Sequence, residues 1–175
     1  MVPLEGDMRC SVDDKNRLDA IAAEIRACRR CPLGASRLNA APGVGSYETR
    51  VVFAGEGPGF SEDHKGEPFV GRAGALLDKI LASIGLSRPT VYITNVVKCH
   101  PMKDPSNPEA HGNDRKPTPE EIAACRHYLD EQIRLIAPRA LVTLGAVPLS
   151  VLLPGEDSIT RVRGQWRVYQ PQGGG

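Results

Sequence analysis

The sequence lacks a long hydrophobic run and lacks any large excess of charge. No apolar stretch approaches the roughly 20 residues that a membrane-spanning helix needs, and the N-terminus has neither the basic flank nor the apolar stretch of a secretory signal. The net charge of +1 excludes binding of nucleic acid by bulk positive charge, but it allows a local basic face. These absences predict a soluble, cytoplasmic protein that does not bind membranes.

Nucleotide-binding signatures, internal repeats and low-complexity segments are also missing, apart from a glycine run at the C-terminus. No Gly-Lys-Ser/Thr follows the glycine-rich segment that starts at Gly55, and its spacing does not match the dinucleotide fingerprint. A chain of 175 residues, with 41% hydrophobic and 25% charged residues, fits one globular domain. We expect residues 1–17 to be a flexible N-terminus, residues 18–169 to form the domain, and residues 170–175 to be a disordered tail.

Short apolar runs alternate with amphipathic segments along the chain. The runs predict buried strands at Val51–Ala54, Val91–Asn95 and Ala140–Leu144. The amphipathic segments predict helices at Leu18–Arg30, Ala75–Ile84, Pro119–Ile136 and Val147–Leu153, and Ile159–Tyr169 is predicted to be irregular with a possible hairpin. This alternation predicts an α/β fold with a parallel sheet, whose ligands bind at the carboxyl ends of the strands.

Five cysteines are present, and a reducing cytosol makes disulfides less expected than metal binding or catalysis. Cys28 and Cys31 form a Cys-x-x-Cys pair that closes a predicted helix, whereas redox pairs usually open one. Cys99 and Cys125 are single, and each is either a metal ligand or a small buried apolar side chain. The spacing does not choose between zinc and an iron-sulfur cluster. Cys10 is interpreted as a thiol outside the proposed ligand set.

Several motifs, in this order along the chain, resemble those of the family 4 uracil-DNA glycosylases. They are residues 55–63, 66–74, 91–99, 117–121, 144–146 and 159–164, within a region of resemblance from Cys28 to Trp166. The resemblance implies a three-layer α/β/α sandwich around a central parallel sheet. It also implies hydrolysis of the N-glycosidic bond of uracil in single- or double-stranded DNA, with the base flipped into a pocket and an abasic site left behind. We expect a monomer.

The resemblance assigns roles to particular residues. It implies that Cys28, Cys31, Cys99 and Cys125 bind a 4Fe-4S cluster, with zinc as the less favoured alternative.

The remaining assignments concern the base. Asn95 reads the uracil edge with its carboxamide, Phe69 stacks on the flipped base, and backbone amides of Glu56 and Gly57 bind uracil O2. Many members of the wider superfamily have a catalytic Asp where this chain has Gly57. A carboxylate from Glu56 or Glu62 must then serve, and we expect Glu62 to position the water.

Basic residues supply candidate contacts to DNA phosphates. Arg161 and Arg163, beside Gly164, are the first candidates, and Lys65, Arg72 and Lys98 extend the same predicted face. The alternative is that these side chains serve only surface solubility.

Two departures from the family pattern affect the expected activity. Residues 102–111 form a Pro-rich insertion, predicted to be a surface loop near the DNA. Its His111 is of interest because a relative that bonds covalently to uracil uses a histidine in this region. The family also continues past Trp166 into a strand and a His-Pro motif that this sequence lacks. We therefore expect a C-terminally truncated domain without the final strand, and the alternative function is a weakly active or non-catalytic uracil or DNA binder.

Overall fold

The computed structural model describes residues 10–155 and 158–170. Seven α-helices and four strands occur in these residues, together with one turn of 3-10 helix at Arg88–Thr90. In chain order they are α1 Val12–Ala27, α2 Pro32–Ser36, β1 Val44–Gly45, β2 Val51–Gly55, α3 Phe60–Lys65, α4 Arg72–Ser83, β3 Tyr92–Asn95, α5 Pro119–Ile136, β4 Ala140–Thr143, α6 Ala146–Leu152 and α7 Ile159–Val162.

The sheet has the strand order β1-β3-β2-β4. Strand β2 is parallel to both β3 and β4, as predicted, but β1 runs antiparallel to β3. The prediction of a wholly parallel sheet is therefore wrong at this edge, because a two-residue strand leaves no periodicity to detect. In the register of β2 and β3, Gly55 lies opposite Asn95 at the carboxyl ends of both strands.

Two hydrophobic clusters cover the two faces of the sheet. Val52 and Ala54 of β2 belong to the larger cluster, which also contains the buried apolar residues of α1 and α5. Phe53 points to the opposite side and packs in a smaller cluster with Leu77 and Leu81 of α4. Alternate residues of one strand thus face two helical layers, and the expected α/β/α sandwich is confirmed.

Helix α5 has the predicted bounds, and strong capping signals define its start. Thr118 caps the helix and Pro119 occupies its first turn, while Glu121 completes a capping box with Thr118. Buried Glu121 also pairs with Arg115, with nitrogen-to-oxygen distances of 2.7 and 2.8 Å. The same residue therefore fixes the start of the helix and the end of the preceding loop.

Several boundaries differ from those predicted. Helix α1 starts at Val12 behind the cap Ser11, so residues 12–17 are helical rather than a flexible N-terminus. Ile159–Val162 forms a short helix and no strand follows within the described residues, so the possible hairpin is wrong. The predicted disordered tail lies outside the described residues except for Gln170.

Strand β4 forms one edge of the sheet. Within the described ranges its only strand partner is β2, and all four of its residues are half-buried. None of the described helices is both long and apolar enough to span a bilayer.

Candidate functional site

Asn95, at the carboxyl end of β3, has a buried side chain with no internal partner. The residue is 1% exposed, and neither Oδ1 nor Nδ2 has a hydrogen-bond partner among the described residues. Leaving a buried polar group unpaired costs about 1–3 kcal/mol, so such a carboxamide indicates a missing ligand. A side chain at Gly55 would collide with both Asn95 Oδ1 and the Phe69 ring, which explains why this strand ends in glycine.

The loop after β2 lies against the loop after β3. The amide of Val96 donates to the Gly55 carbonyl at 2.9 Å, and the amide of Val97 donates to the Glu56 carbonyl at 3.1 Å. A Cβ at Gly57 would lie 2.7 Å from Val97 Cγ2. The structure therefore brings Glu56, Gly57 and Asn95 close together, and the Phe69 ring lies beside Gly55 and Asn95 Oδ1.

Glu62 holds two loops together through its carboxylate. Its Oε1 accepts hydrogen bonds from the amides of Val70 and Gly71, both at 2.9 Å, and its Oε2 accepts one from Gly59 at 3.2 Å. Both oxygens are thus engaged by backbone amides. This geometry opposes the predicted role of Glu62 in positioning water and indicates that it braces the loop that carries Phe69.

Lys98 is inside the protein and not on a DNA-facing surface. The residue is 1% exposed, and its Nζ donates to Thr94 Oγ1 at 2.6 Å, to the Asn95 carbonyl at 2.7 Å and to Gln132 Oε1 at 2.8 Å. Burial lowers the pKa of Lys98 to about 8. The predicted contact between Lys98 and DNA is wrong, because all three donors of its ammonium group point inward.

The other predicted DNA contacts are on the surface. Arg161 lies on α7 and Arg163 caps its C-terminus, and both are exposed, as are Lys65 and Arg72. These four residues lie on the surface of the protein, whereas Asn95 is buried.

The insertion contributes a histidine stack beside α3. The Phe60 ring has centroid distances of 4.2 Å to both His64 and His111, and His64 Nε2 lies 3.0 Å from Glu109 Oε2. Hydrogen bonds to Glu109 and to the Phe60 carbonyl raise the pKa of His64. His111 therefore packs on an exposed aromatic stack that ties the insertion to the helix after the first motif.

A buried Asp-His pair was missed by the sequence reasoning. His100 is fully buried, with Nε2 2.6 Å from Asp114 Oδ1 and Nδ1 3.6 Å from Asp63 Oδ2. Asp63 Oδ1 also accepts from the amides of Leu38 and Asn39. Burial opposes protonation of His100, but the two carboxylates outweigh it and raise its pKa. No sequence spacing predicts this interaction, because Asp63, His100 and Asp114 are far apart along the chain.

The four predicted ligand cysteines all contact the larger hydrophobic cluster, to which Cys10 also belongs. Cys99 and Cys125 belong to the larger hydrophobic cluster, and Cys28 and Cys31 pack against it. Arg37 Nη1 lies 2.8 Å from Cys99 Sγ. All five cysteines are free thiols, and Cys10 is buried near the N-terminus of α1.

The thiols influence one another electrostatically. Burial raises the pKa of Cys99 to about 11 against the effect of Arg37, and Cys125 and Cys31 add to the rise. Burial also raises the pKa of Cys125, with smaller contributions from Cys31 and Cys28. No three His, Cys, Asp or Glu side chains in residues 10–155 and 158–170 are arranged to hold a single metal ion. Four cysteine thiolates are the usual donor set of an iron-sulfur cluster.

Residues 42–173 match the uracil DNA glycosylase superfamily. The chain is 47% identical over 148 residues to the type-4 uracil-DNA glycosylase of Thermotoga maritima, a match that covers 84% of this chain and 72% of the relative. It is 46% identical over 157 residues to the type-4 uracil-DNA glycosylase of Archaeoglobus fulgidus, covering 87% and 73%.

A type-5 relative is more distant. The type-5 uracil-DNA glycosylase of Thermus thermophilus is 31% identical over 167 residues, a match that covers 77% of this chain and 71% of the relative.

Proposed function

Because the chain belongs to the uracil-DNA glycosylase superfamily, with type-4 relatives at 43–47% identity, we infer that it is a DNA-repair glycosylase. It hydrolyses the N-glycosidic bond of uracil in DNA and leaves an abasic site. The observation that carries this function is the unpaired, buried carboxamide of Asn95 beside the Phe69 ring.

The chemistry of Asn95 matches the uracil edge. Its Nδ2 group donates to a uracil carbonyl, and its Oδ1 accepts from the ring N–H. Cytosine has an amino group and a ring acceptor in these positions. The Asn95 Nδ2 donor would then face the amino donor, and the Oδ1 acceptor would face the ring acceptor. Binding of uracil satisfies both orphan atoms of Asn95, whereas binding of cytosine does not.

The neighbouring residues are proposed to bind the base and to stabilise the negative charge that it acquires as it leaves. Phe69 stacks on the flipped base, a contact worth about 1–3 kcal/mol. Amides of Glu56 and Gly57 stabilise the charge that develops on uracil O2. Glu56 is our candidate for the carboxylate that supports the sugar cation or the attacking water, since Glu62 is engaged by three amides.

The DNA backbone is proposed to lie along the exposed basic residues Arg161, Arg163, Lys65 and Arg72, which supply phosphate contacts. We propose that a monomer acts on uracil in single- or double-stranded DNA. A cytoplasmic location stays a prediction.

We propose a 4Fe-4S cluster at Cys28, Cys31, Cys99 and Cys125, with zinc as the alternative. The electrostatic influence of Cys125 and Cys31 on Cys99, and of Cys31 and Cys28 on Cys125, supports it. Such a cluster supplies covalent bracing between the end of α1, the end of β3 and helix α5, and the hydrolysis itself needs no electron transfer. Arg37, donating to Cys99 Sγ, would favour the thiolate form that a metal requires.

The activity is tested with a single-stranded oligonucleotide that contains one uracil, incubated with anaerobically purified protein and then treated with alkali. We expect cleavage at the uracil position and none in a matched oligonucleotide with thymine. Retention of the uracil oligonucleotide without cleavage would instead establish the alternative, a non-catalytic binder.

A further inference from the structure

Phe69 adopts a backbone conformation that a phenylalanine rarely takes. Its φ is +55°, in the left-handed region, and only Ala137 shares a positive φ among the described non-glycine residues. Such a conformation costs free energy and persists only when surrounding groups impose it. Groups other than the Phe69 side chain must therefore hold the backbone of this residue in place.

The carbonyl groups of this loop are held by Arg88. Its Nη1 donates to the Pro68 carbonyl at 3.1 Å, and its Nη2 donates to the Phe69 carbonyl. Arg88 begins the 3-10 turn that precedes β3. The planar guanidinium has donors in a rigid fork, so it fixes both carbonyl directions at once.

Asp78 of α4 holds the guanidinium in turn. Its Oδ1 lies 2.6 Å from Arg88 Nε, and the side chains of Arg88 and Asp78 are 24% and 50% exposed. A Cβ at Gly74 would collide with the Phe69 carbonyl and lie 3.1 Å from Arg88 Nη2. Gly74 thus leaves the space in which the Phe69 carbonyl turns toward Arg88.

The other side of the loop is held by Glu62, through the amides of Val70 and Gly71. The Arg88 guanidinium therefore fixes the carbonyls of Pro68 and Phe69. The Glu62 carboxylate fixes the amides of the next two residues. Between these anchors the Phe69 ring is directed against Gly55, next to Asn95 Oδ1.

We propose that Arg88, oriented by Asp78, is a positioning residue that sets the Phe69 ring for stacking on uracil. Arg88 acts through the loop backbone and does not touch the base. This inference rests on the proposed function, since it assumes that the pocket receives uracil.

The test compares Arg88→Met, Phe69→Ala and the double variant. Uracil affinity is measured by ligand-observed NMR, and excision by single-turnover kinetics on the uracil oligonucleotide. We expect Arg88→Met to weaken uracil binding about tenfold, which corresponds to ~1.4 kcal/mol. In the Phe69→Ala background the same substitution should have almost no further effect on uracil affinity, because the ring that it positions is gone.

Two further variants separate positioning from general destabilisation. Arg88→Lys keeps the charge but offers a single ammonium group, so we expect an intermediate loss of affinity. Arg17→Met is the matched control, since Arg17 bonds Glu24 and Glu131 between α1 and α5, away from the pocket. It should lower the melting temperature and leave uracil affinity unchanged.

The inference is overturned if Arg88→Met binds uracil like the wild type, or if it weakens binding equally with and without the Phe69 ring. If Arg88→Met does not fold, the uracil affinity of Arg88→Lys is compared with and without the Phe69 ring, and the same outcomes decide. If the wild type excises no uracil, the proposed function fails. Uracil affinity still tests Arg88 in that case, because binding is measured without the reaction.

Discussion

Lys98 carries a charge in the centre of the protein because three oxygen acceptors surround its Nζ. One acceptor is the main-chain carbonyl of Asn95, and another is the side chain of Gln132 on α5. Gln132 also donates to the Pro42 carbonyl at 2.9 Å and to Tyr92 Oη at 3.1 Å. This buried network fixes the backbone from which the Asn95 side chain projects.

Removing the Lys98 ammonium should therefore cost both stability and uracil affinity. For Lys98→Met we expect a loss of about 1–3 kcal/mol in the free energy of unfolding, since the Asn95 carbonyl and Gln132 Oε1 lose a buried donor. Urea denaturation measures the first effect and uracil titration the second. Lys103→Met, which removes an exposed lysine of the insertion, is the control. Equal stability of both variants would contradict the role of the network.

At this scale the sequence motifs identified the pocket better than they identified the roles within it. Asn95, Phe69 and Gly57 lie together as predicted, because adjacent parallel strands bring their ends to one edge. Lys98 received the wrong role, and the geometry opposes the one given to Glu62, because the partners of a charged side chain depend on tertiary packing. Arg88 was not singled out at all, since an arginine before a strand has no distinctive spacing.

At the scale of elements, the insertion is an ordered loop tied to its surroundings. Met102 and Asp114 form a bridge across its base, and buried Asn113 donates to the carbonyls of Asp104 and Asn107. Its tip is joined to α3 through the pair of His64 and Glu109. The loop therefore has a defined position beside the first motif.

The pair of His64 and Glu109 gives the loop a pH dependence. Because the folded-state pKa of His64 is raised, its contribution is complete below the unfolded pKa of about 6.5 and is lost as pH rises through the folded value. We expect the protection factors at the loop tip, which correct for the intrinsic rise of exchange with pH, to be slightly higher at pH 6 than at pH 8. The difference should be small because His64 is exposed.

NMR titration of His64 checks the cause. In Glu109→Gln the pKa of His64 should fall toward its ordinary value, and the difference in protection factor between the two pH values should shrink. An unchanged His64 titration in this variant would exclude the pair as the source of the effect.

Elements with strong local signals were predicted well, and elements defined by distant partners were not. Helix α5 carries Thr118, Pro119 and Glu121 at its start, so its ends matched. The start of α1 was missed because its capping box, Ser11 with Asp14, lies in a polar segment without apolar periodicity. Strand β1 exists only through its pairing with β3.

For the whole molecule, the four proposed ligand cysteines come from distant parts of the sequence. They lie at the end of α1, in the turn before α2, after the end of β3 and in helix α5. A cluster bound there would hold the two ends of the insertion together beside the pocket. We therefore expect the metal to contribute to folding stability and not to the hydrolysis.

Cys99→Ser should lose iron and stability together. Anaerobically purified wild type should show visible absorption with iron and acid-labile sulfide, whereas a zinc centre would give a colourless protein with stoichiometric zinc. Cys10→Ser, at the thiol outside the quartet, should keep both iron and melting temperature. A colourless Cys99→Ser protein with the melting temperature of the wild type would contradict the structural role.

The central claim is that Asn95 recognises uracil for excision, and single-turnover kinetics of Asn95→Ala on the uracil oligonucleotide test it most directly. Loss of a group that contacts the leaving base is expected to slow excision by about 10²-fold or more. Asn107→Ala, at an exposed position of the insertion, should react like the wild type. Excision by Asn95→Ala at the wild-type rate would contradict the claim.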